Sequence, residues 1–210
     1  MLDVVARQVV IIGGGAVATR KAKGLLAAGA QNVRVVSPAF HPDMPPQVER
    51  VPESYHPMHL SGAGLVFAAT DAPEINDAVV RDAGTLGLLV CRADADDDAP
   101  GDFTTPAVLR RGPVAVMVSA AGAPALAAAI RDDLADKLDP RQVRMAEVMQ
   151  TLRPILRGAT DLTPARRRDV FRDLASPDAL ESLASGGAPM LLHWIARRYP
   201  DLETVLKHVR

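Results

Sequence analysis

The 210-residue chain has one cysteine, Cys91, so no disulfide can close within it, and a cytoplasmic setting is the default expectation. It has no excess of charge. Twenty-four Lys and Arg stand against 25 Asp and Glu, a formal net charge of −1, which leaves no global field to draw in nucleic acid. No uninterrupted apolar run reaches the ~18 residues of a membrane span. The first residues, MLDVVARQ, carry neither the basic nor the apolar region of a signal peptide. The five histidines, His41, His56, His59, His193 and His208, show no H-x-x-x-H or Cys/His spacing, so no resident metal is expected. His56 and His59 are read as surface residues. What remains is an ordinary globular composition, 48% hydrophobic and 23% charged, with 17 prolines mostly punctuating the apolar segments.

The first half alternates between strand and helix patterns. Residues 8–12 form a short apolar strand, 16–29 a helix stopped by Gly29, and 32–37 a second strand closed by Pro38. Residues 56–60 suggest a short strand. Strands at 65–70, 88–92 and 114–119 follow, with helices at about 73–84 and 124–138. Such alternation predicts an α/β domain whose parallel sheet carries helices on both faces. From Pro140 onward no β-rich run appears. Thr163-Pro164 and Ser176-Pro177 read as helix starts, with a hydroxyl N-cap followed by proline. Trp194 and Tyr199 are expected to anchor helix packing.

The stretch Gly13-Gly14-Gly15-Ala16-Val17-Ala18 fits G-x-G-x-x-A between a strand and a helix. Gly13 permits the tight turn, Gly15 lets a pyrophosphate approach the backbone, and Ala18 allows close helix–strand packing. The free N–H groups at Ala16 and Val17 favour an anion. This predicts a dinucleotide site. The acidic residue usual at the end of the second strand is absent; the chain reads Val36-Ser37-Pro38-Ala39 there. Ser37 or backbone groups could serve instead, and Arg34 is either a 2′-phosphate contact or a solvated strand residue. NAD and NADP both stay open at this point.

Six stretches in order carry a more specific resemblance: GGGAVATRKA (13–22), VVSPAF (35–40), FAATDAPEIN (67–76), LLVCRAD (88–94), DFTTPA (102–107) and VAVMVSAAGAPALA (114–127). Together they resemble the precorrin-2 dehydrogenase and sirohydrochlorin ferrochelatase module of the sirohaem synthase family. The resemblance covers about residues 8 to 135, and DVFRDLA (169–175) matches only loosely. It implies NAD as cofactor and oxidation of precorrin-2 to sirohydrochlorin, with ferrous iron insertion in some members. It implies a homodimer built through the segment after the Rossmann domain. The expected layout is a Rossmann-type domain at 1–110, a dimerisation segment at 111–145 and a small all-helical domain at 146–210. No methyltransferase fits in this length, so methylation is expected from another protein.

By the same resemblance, Asp94 is the catalytic base. Cofactor contacts fall at Gly13, Gly15, Ala16, Val17, Ser37, Pro38, Ala39, Thr70 and Asp71. Substrate contacts fall at Arg20, Lys21, Asn76, Ser119 and Gly122. Two departures stand out. Cys91 replaces the family's Asn before the Asp, and a thiol cannot offer an amide's paired donor and acceptor. The hydroxyl- and glycine-rich loop before the last strand's helix reads VSAAGAP (118–124), with Ala120-Ala121 where the glycine pair would be.

Asp94 also begins the run DADDDAPGD. Its alternating acids resemble the start of an EF-hand, but Ala99 and Thr105 occupy the positions that need Gly and Glu, and Asp96, Asp97 and Asp98 read as loop solvation. Arg166-Arg167-Arg168 looks like a basic patch on a helix, with its members facing different ways. Two alternatives stand beside the dehydrogenase. One is an NAD(H)-sensing Rossmann module with a helical partner-binding domain. The other is a small-carbonyl reductase, which lacks a Tyr-x-x-x-Lys pair.

Overall fold

Strand β1 (Gln8–Ile12) alternates its side chains between two apolar faces, and Val9, Val10 and Ile11 are fully buried. It is the middle strand of a five-stranded sheet in the computed structural model, which describes residues 2–93, 101–159 and 162–202. The partners are β2 (Asn32–Val36), β3 (Glu49–Val51), β4 (Leu65–Ala68) and β5 (Val90–Arg92), in the order β3-β2-β1-β4-β5. All four pairings are parallel. Helix α1 (Ala16–Ala27) connects β1 to β2, and α2 (Pro73–Thr85) connects β4 to β5.

Parity sorts the core into two layers. Val9, Ile11, Val33, Val35, Phe67 and Cys91 pack with Ala18, Ala22 and Leu25 of α1. Val10, Ile12, Val36, Val66 and Val90 pack with Val79 and Ala83 of α2. Covered on both sides, these strands are nearly continuous in apolar residues, which is why they were readable in the sequence. The sheet order reverses direction between β1 and β4, which leaves a crevice at the carboxyl ends of those strands.

The chain divides into two units, residues 1–105 and 106–210. In the second, β6 (Ala107–Arg111) and β7 (Val114–Val118) form an antiparallel hairpin, on which α3 (Pro124–Lys137) packs. Helices α4 (Pro140–Gly158), α5 (Pro164–Leu174) and α6 (Pro177–Arg198) enclose a separate core that includes Met145, Leu152, Leu156, Leu174, Leu183, Leu191 and Ile195. Each of these helices begins with proline after a capping side chain. The Asp139 carboxylate accepts from the Arg141 N–H at 2.8 Å, the Thr163 hydroxyl from the Arg166 N–H at 3.2 Å, and the Ser176 hydroxyl from the Ala179 N–H at 3.3 Å. Tyr199 is buried, and its hydroxyl donates to Asp173 at 2.8 Å. Trp194 packs at the edge of the same core.

The structure corrects four sequence expectations. Residues 56–60 are not a strand: Pro57–Leu60 is a 3-10 turn, started by proline and capped by His56. The His59 ring bonds to the His56 N–H on one side and to Glu53 on the other, both at 3.0 Å. Residues 114–118 do not join the parallel sheet. Gly112, at φ +52°, followed by Pro113, sets up a two-residue hairpin turn that folds β7 back onto β6. Strands β3 and β6 were not foreseen, because both carry charged residues, Glu49 and Arg50 or Arg110 and Arg111, within a few positions. Arg34 is partly exposed and already engaged by a carboxylate, so its guanidinium is not free for a phosphate. It faces its register partner Glu49 across β2 and β3 and pairs with it at 2.9 Å.

Candidate functional site

The loop after β1 is held by backbone contacts that leave no room for side chains at its first two positions. Gly13 has φ +122°, and a Cβ there would lie 2.2 Å from the Ala69 carbonyl oxygen. A Cβ on Gly14 would lie 1.9 Å from the Ala39 carbonyl oxygen. The Gly13 N–H donates to the Val36 carbonyl at 2.9 Å, and the Gly14 carbonyl accepts from the His41 N–H at 2.8 Å. Gly13 and Gly14 are therefore glycines for packing, the first also for conformation. Gly14 was not among the expected site residues; the triple glycine was its only signal.

Gly15 differs. A Cβ added to it would meet nothing within 4 Å. Gly15 is the N-cap of α1 and offers no side-chain cap, and the first turn holds no acidic residue. The N–H groups of the α1 first turn thus open outward from Gly15 and Ala16, both exposed, with Val17 half-buried behind them. Orphan donors plus the positive end of the helix make this a cradle for an anion, and the donor set fits the pyrophosphate of a dinucleotide.

Ser37, Pro38 and Ala39 follow β2 beside this cradle, with Pro38 and Ala39 exposed. Ser37 is tied by its N–H to the Val51 carbonyl at 3.1 Å, and a Cβ on Gly14 would crowd its hydroxyl. Thr70 and Asp71 follow β4 on the other side, and Asp71 is exposed. All the expected cofactor residues accordingly lie at the carboxyl ends of β1, β2 and β4, at the reversal point of the sheet.

Asn76 stands apart from its expected role as a substrate contact. Its side chain is fully buried and directed at Thr70. Its Oδ1 accepts from the Thr70 N–H at 3.1 Å and the Thr70 hydroxyl at 2.8 Å, and its Nδ2 donates to the Thr70 carbonyl at 3.0 Å. It shapes the β4–α2 turn from behind.

Arg20 is exposed. Lys21 is half-buried: its ammonium donates to the Thr105 hydroxyl and sits 6.0 Å from the centre of the Phe67 ring. Burial holds the Lys21 pKa below the usual lysine value. Phe103 meets Phe67 edge-on, with centroids 5.5 Å apart. Lys21, Thr105, Phe67 and Phe103 thus form a cluster that the sequence motifs named without showing their contact. Cys91 is buried in the same layer, and burial raises its thiol pKa. It packs as a small apolar residue.

Asp94 lies outside the described residues. Its flanks are well anchored. The Ala93 N–H donates to the Ala68 carbonyl at 2.8 Å, and Arg92 pairs with Asp77 of α2. On the return, Gly101 bridges Cys91, while Asp102 binds the Val90 N–H through its carboxylate at 2.9 Å. Ser119 and Gly122 belong to the second unit, in the β7–α3 loop, and both are exposed. In that loop Ala121 has φ +38° and Gly122 φ +82°, so an alanine takes a backbone conformation that favours glycine. Among the described residues, no group of three His, Cys, Asp or Glu side chains could hold a metal ion, and no helix is long and apolar enough to cross a membrane.

Comparison with known proteins places this geometry. Residues 1–107 match the family model described as "Putative NAD(P)-binding". Siroheme synthase 2 of Aeromonas hydrophila subsp. hydrophila is 38% identical over 174 residues, 81% of this chain and 36% of that protein. Siroheme synthase 1 of Pectobacterium atrosepticum is 38% identical over 191 residues, 88% of this chain and 39% of that protein. The chain spans little more than a third of the length of these relatives. In fold it is similar to the solved structure titled "SirC, precorrin-2 dehydrogenase", with a TM-score of 0.74 at 23% identity, covering 94% of this chain and 98% of that one. The open glycine cradle at the sheet's reversal point therefore has a family to go with it: the chain belongs to the NAD(P)-binding family whose model spans its first unit, and it is a homologue of the siroheme synthases.

Proposed function

We propose that this protein oxidises precorrin-2 to sirohydrochlorin with NAD, in the cytoplasm, as a step towards sirohaem. One observation carries the reading: an uncapped, acid-free α1 N-terminus opens at Gly15 on the reversal point of the sheet, in a chain homologous to siroheme synthases. NAD, when bound, supplies the hydride acceptor.

The protein's residues supply the rest. Gly13 and Gly14 fix the loop, and the N–H groups of Ala16 and Val17 hold the pyrophosphate. Ser37, Pro38 and Ala39 bind on the β2 side, where no acidic residue is needed. Thr70 and Asp71, braced by Asn76, bind on the β4 side. The oxidation removes a hydride from one carbon of the macrocycle and a proton nearby. The Asp94 carboxylate takes that proton. Arg20 contacts the acidic substrate, and Lys21 supports its carboxylates from the cluster with Thr105; Ser119 and Gly122 are the substrate contacts that the second unit carries. The oxidised product, sirohydrochlorin, is in turn the substrate for ferrous iron insertion, a second activity of this protein.

The working form is a homodimer joined through the second unit. Helix α3 buries only Ala127, while Leu126, Ile130 and Leu134 on it, Val108 on β6 and Met117 on β7 stay exposed. An exposed apolar face of this kind suits contact with a second copy of the same elements.

The test is an anaerobic absorbance time course with freshly made precorrin-2. The sirohydrochlorin spectrum should appear only when protein and NAD are both present. Addition of ferrous iron should then give the sirohaem spectrum faster than the protein-free blank. Absence of any NAD-dependent change, from protein that binds NAD, would sink the dehydrogenase in favour of an NAD(H) sensor.

A further inference from the structure

The run Arg166-Arg167-Arg168 is split by its helix. Arg166 binds Asp201 at 2.8 Å and lies 4.5 Å over the Tyr199 ring. Arg167 and Arg168 instead line a cavity of about 430 Å³, together with Arg153 and Arg157 of α4, Pro164 and Phe171. Arg153 lies 5.0 Å from the Phe171 ring centre. Four arginines from two helices thus line one cavity with an aromatic wall.

Elsewhere among the described residues of the second unit the arginines divide, Arg110, Arg111, Arg144 and Arg197 having no carboxylate partner and five others having one. Arg131, Arg141, Arg166, Arg172 and Arg198 each have a carboxylate partner. Among the described residues, none of the four pocket arginines has one. The acids of α5 are engaged elsewhere, Asp169 with Arg172, and Asp173 with Arg198 and Tyr199. The α5 N-terminus at Pro164 adds its positive end to the same side. The cavity volume lies within the range of small-molecule sites.

We propose that the α4–α5 pocket binds a compact polyanion, a small molecule carrying two or more carboxylate or phosphate groups, gripped by guanidinium forks and resting against Phe171. This site is independent of the dinucleotide cradle and of the reaction proposed there.

The experiment is calorimetric titration of the full chain at low ionic strength, with tricarballylate as the carboxylate probe and tripolyphosphate as the phosphate probe. One molecule of at least one probe should bind per chain, and the probe that binds more tightly identifies the chemistry. Affinity should fall about tenfold or more in the double variant Arg157→Gln, Arg168→Gln, as expected for two lost charge-assisted contacts. It should hold in Arg172→Gln, whose arginine is paired outside the pocket. Thermal melts check that all variants fold. Unsaturable or absent binding of both probes overturns the proposal. So does an equal loss in Arg172→Gln, or no loss in the double variant.

Discussion

In the first unit, five parallel strands bury apolar side chains on both faces, and the expected cofactor contacts are largely backbone groups at strand ends. In the second unit, α4, α5 and α6 enclose an apolar centre and surround it with arginine–carboxylate pairs. The first unit's dinucleotide cradle is shaped chiefly by glycines and backbone N–H groups. The second presents side chains that can be exchanged one at a time. Substitutions should therefore act very differently in the two, and five variants test this.

The largest effect is expected at Asp94. Asp94→Ala should lower turnover of precorrin-2 by roughly 10²- to 10⁴-fold, the usual worth of a positioned base. Affinity for NAD should stay nearly unchanged, as titration on the same preparation would show. Substantial residual turnover would remove Asp94 from the base role.

Next come the glycines. Gly14→Ala puts a methyl group against the Ala39 carbonyl and should cost about 3 kcal/mol of stability or more, read by chemical denaturation. Gly15→Ala meets open space, so the fold should survive while NAD binding weakens. Equal destabilisation by both variants would contradict the division between packing and binding glycines.

An acid-side pH effect is expected in the second unit. Hydrogen bonds from Arg198 and Tyr199 hold the Asp173 carboxyl below the usual Asp range, and Arg166 does the same for Asp201. A depressed pKa adds stability above the unfolded value, about 3.9, and that stability is lost as pH falls through the lower folded value. Acid below about pH 4 should therefore loosen the helical unit. Asp173→Asn should flatten that dependence, measured by tyrosine or tryptophan fluorescence during acid titration. Both carboxylates are exposed enough that the effect should be small.

The smallest effect belongs to Ala121, which sits at positive φ in the β7–α3 loop. Ala121→Gly should relieve that strain and raise stability by about 0.5–1 kcal/mol. A loss on substitution would mean the alanine methyl makes a contact that outweighs the strain.

The first unit was the more legible from sequence, because doubly covered strands are short runs of valine, isoleucine and leucine, and Gly13 to Ala18 has a fixed spacing. β3 was hidden by Glu49 and Arg50, which are tolerated at the sheet's edge. The hairpin was misread because β7 looks like any apolar strand; only Gly112-Pro113 distinguishes a turn back from a crossover. Within the site, the family resemblance pointed to Lys21 and Asn76 but not to their settings. That Asn76 serves Thr70, and that Lys21 reaches Thr105 across 84 positions, depends on packing between elements. The arginine run told the reverse story: its pattern suggested faces pointing apart, and the partners of each face came only from the neighbouring helices.

The most direct measurement follows NADH and the macrocycle together in one anaerobic single-turnover reaction of protein, NAD and precorrin-2. One NADH should form for each sirohydrochlorin, with both appearing at the same rate. Sirohydrochlorin formed without NADH, or NAD bound with neither product formed, would contradict the assignment of the glycine cradle as a site of hydride transfer.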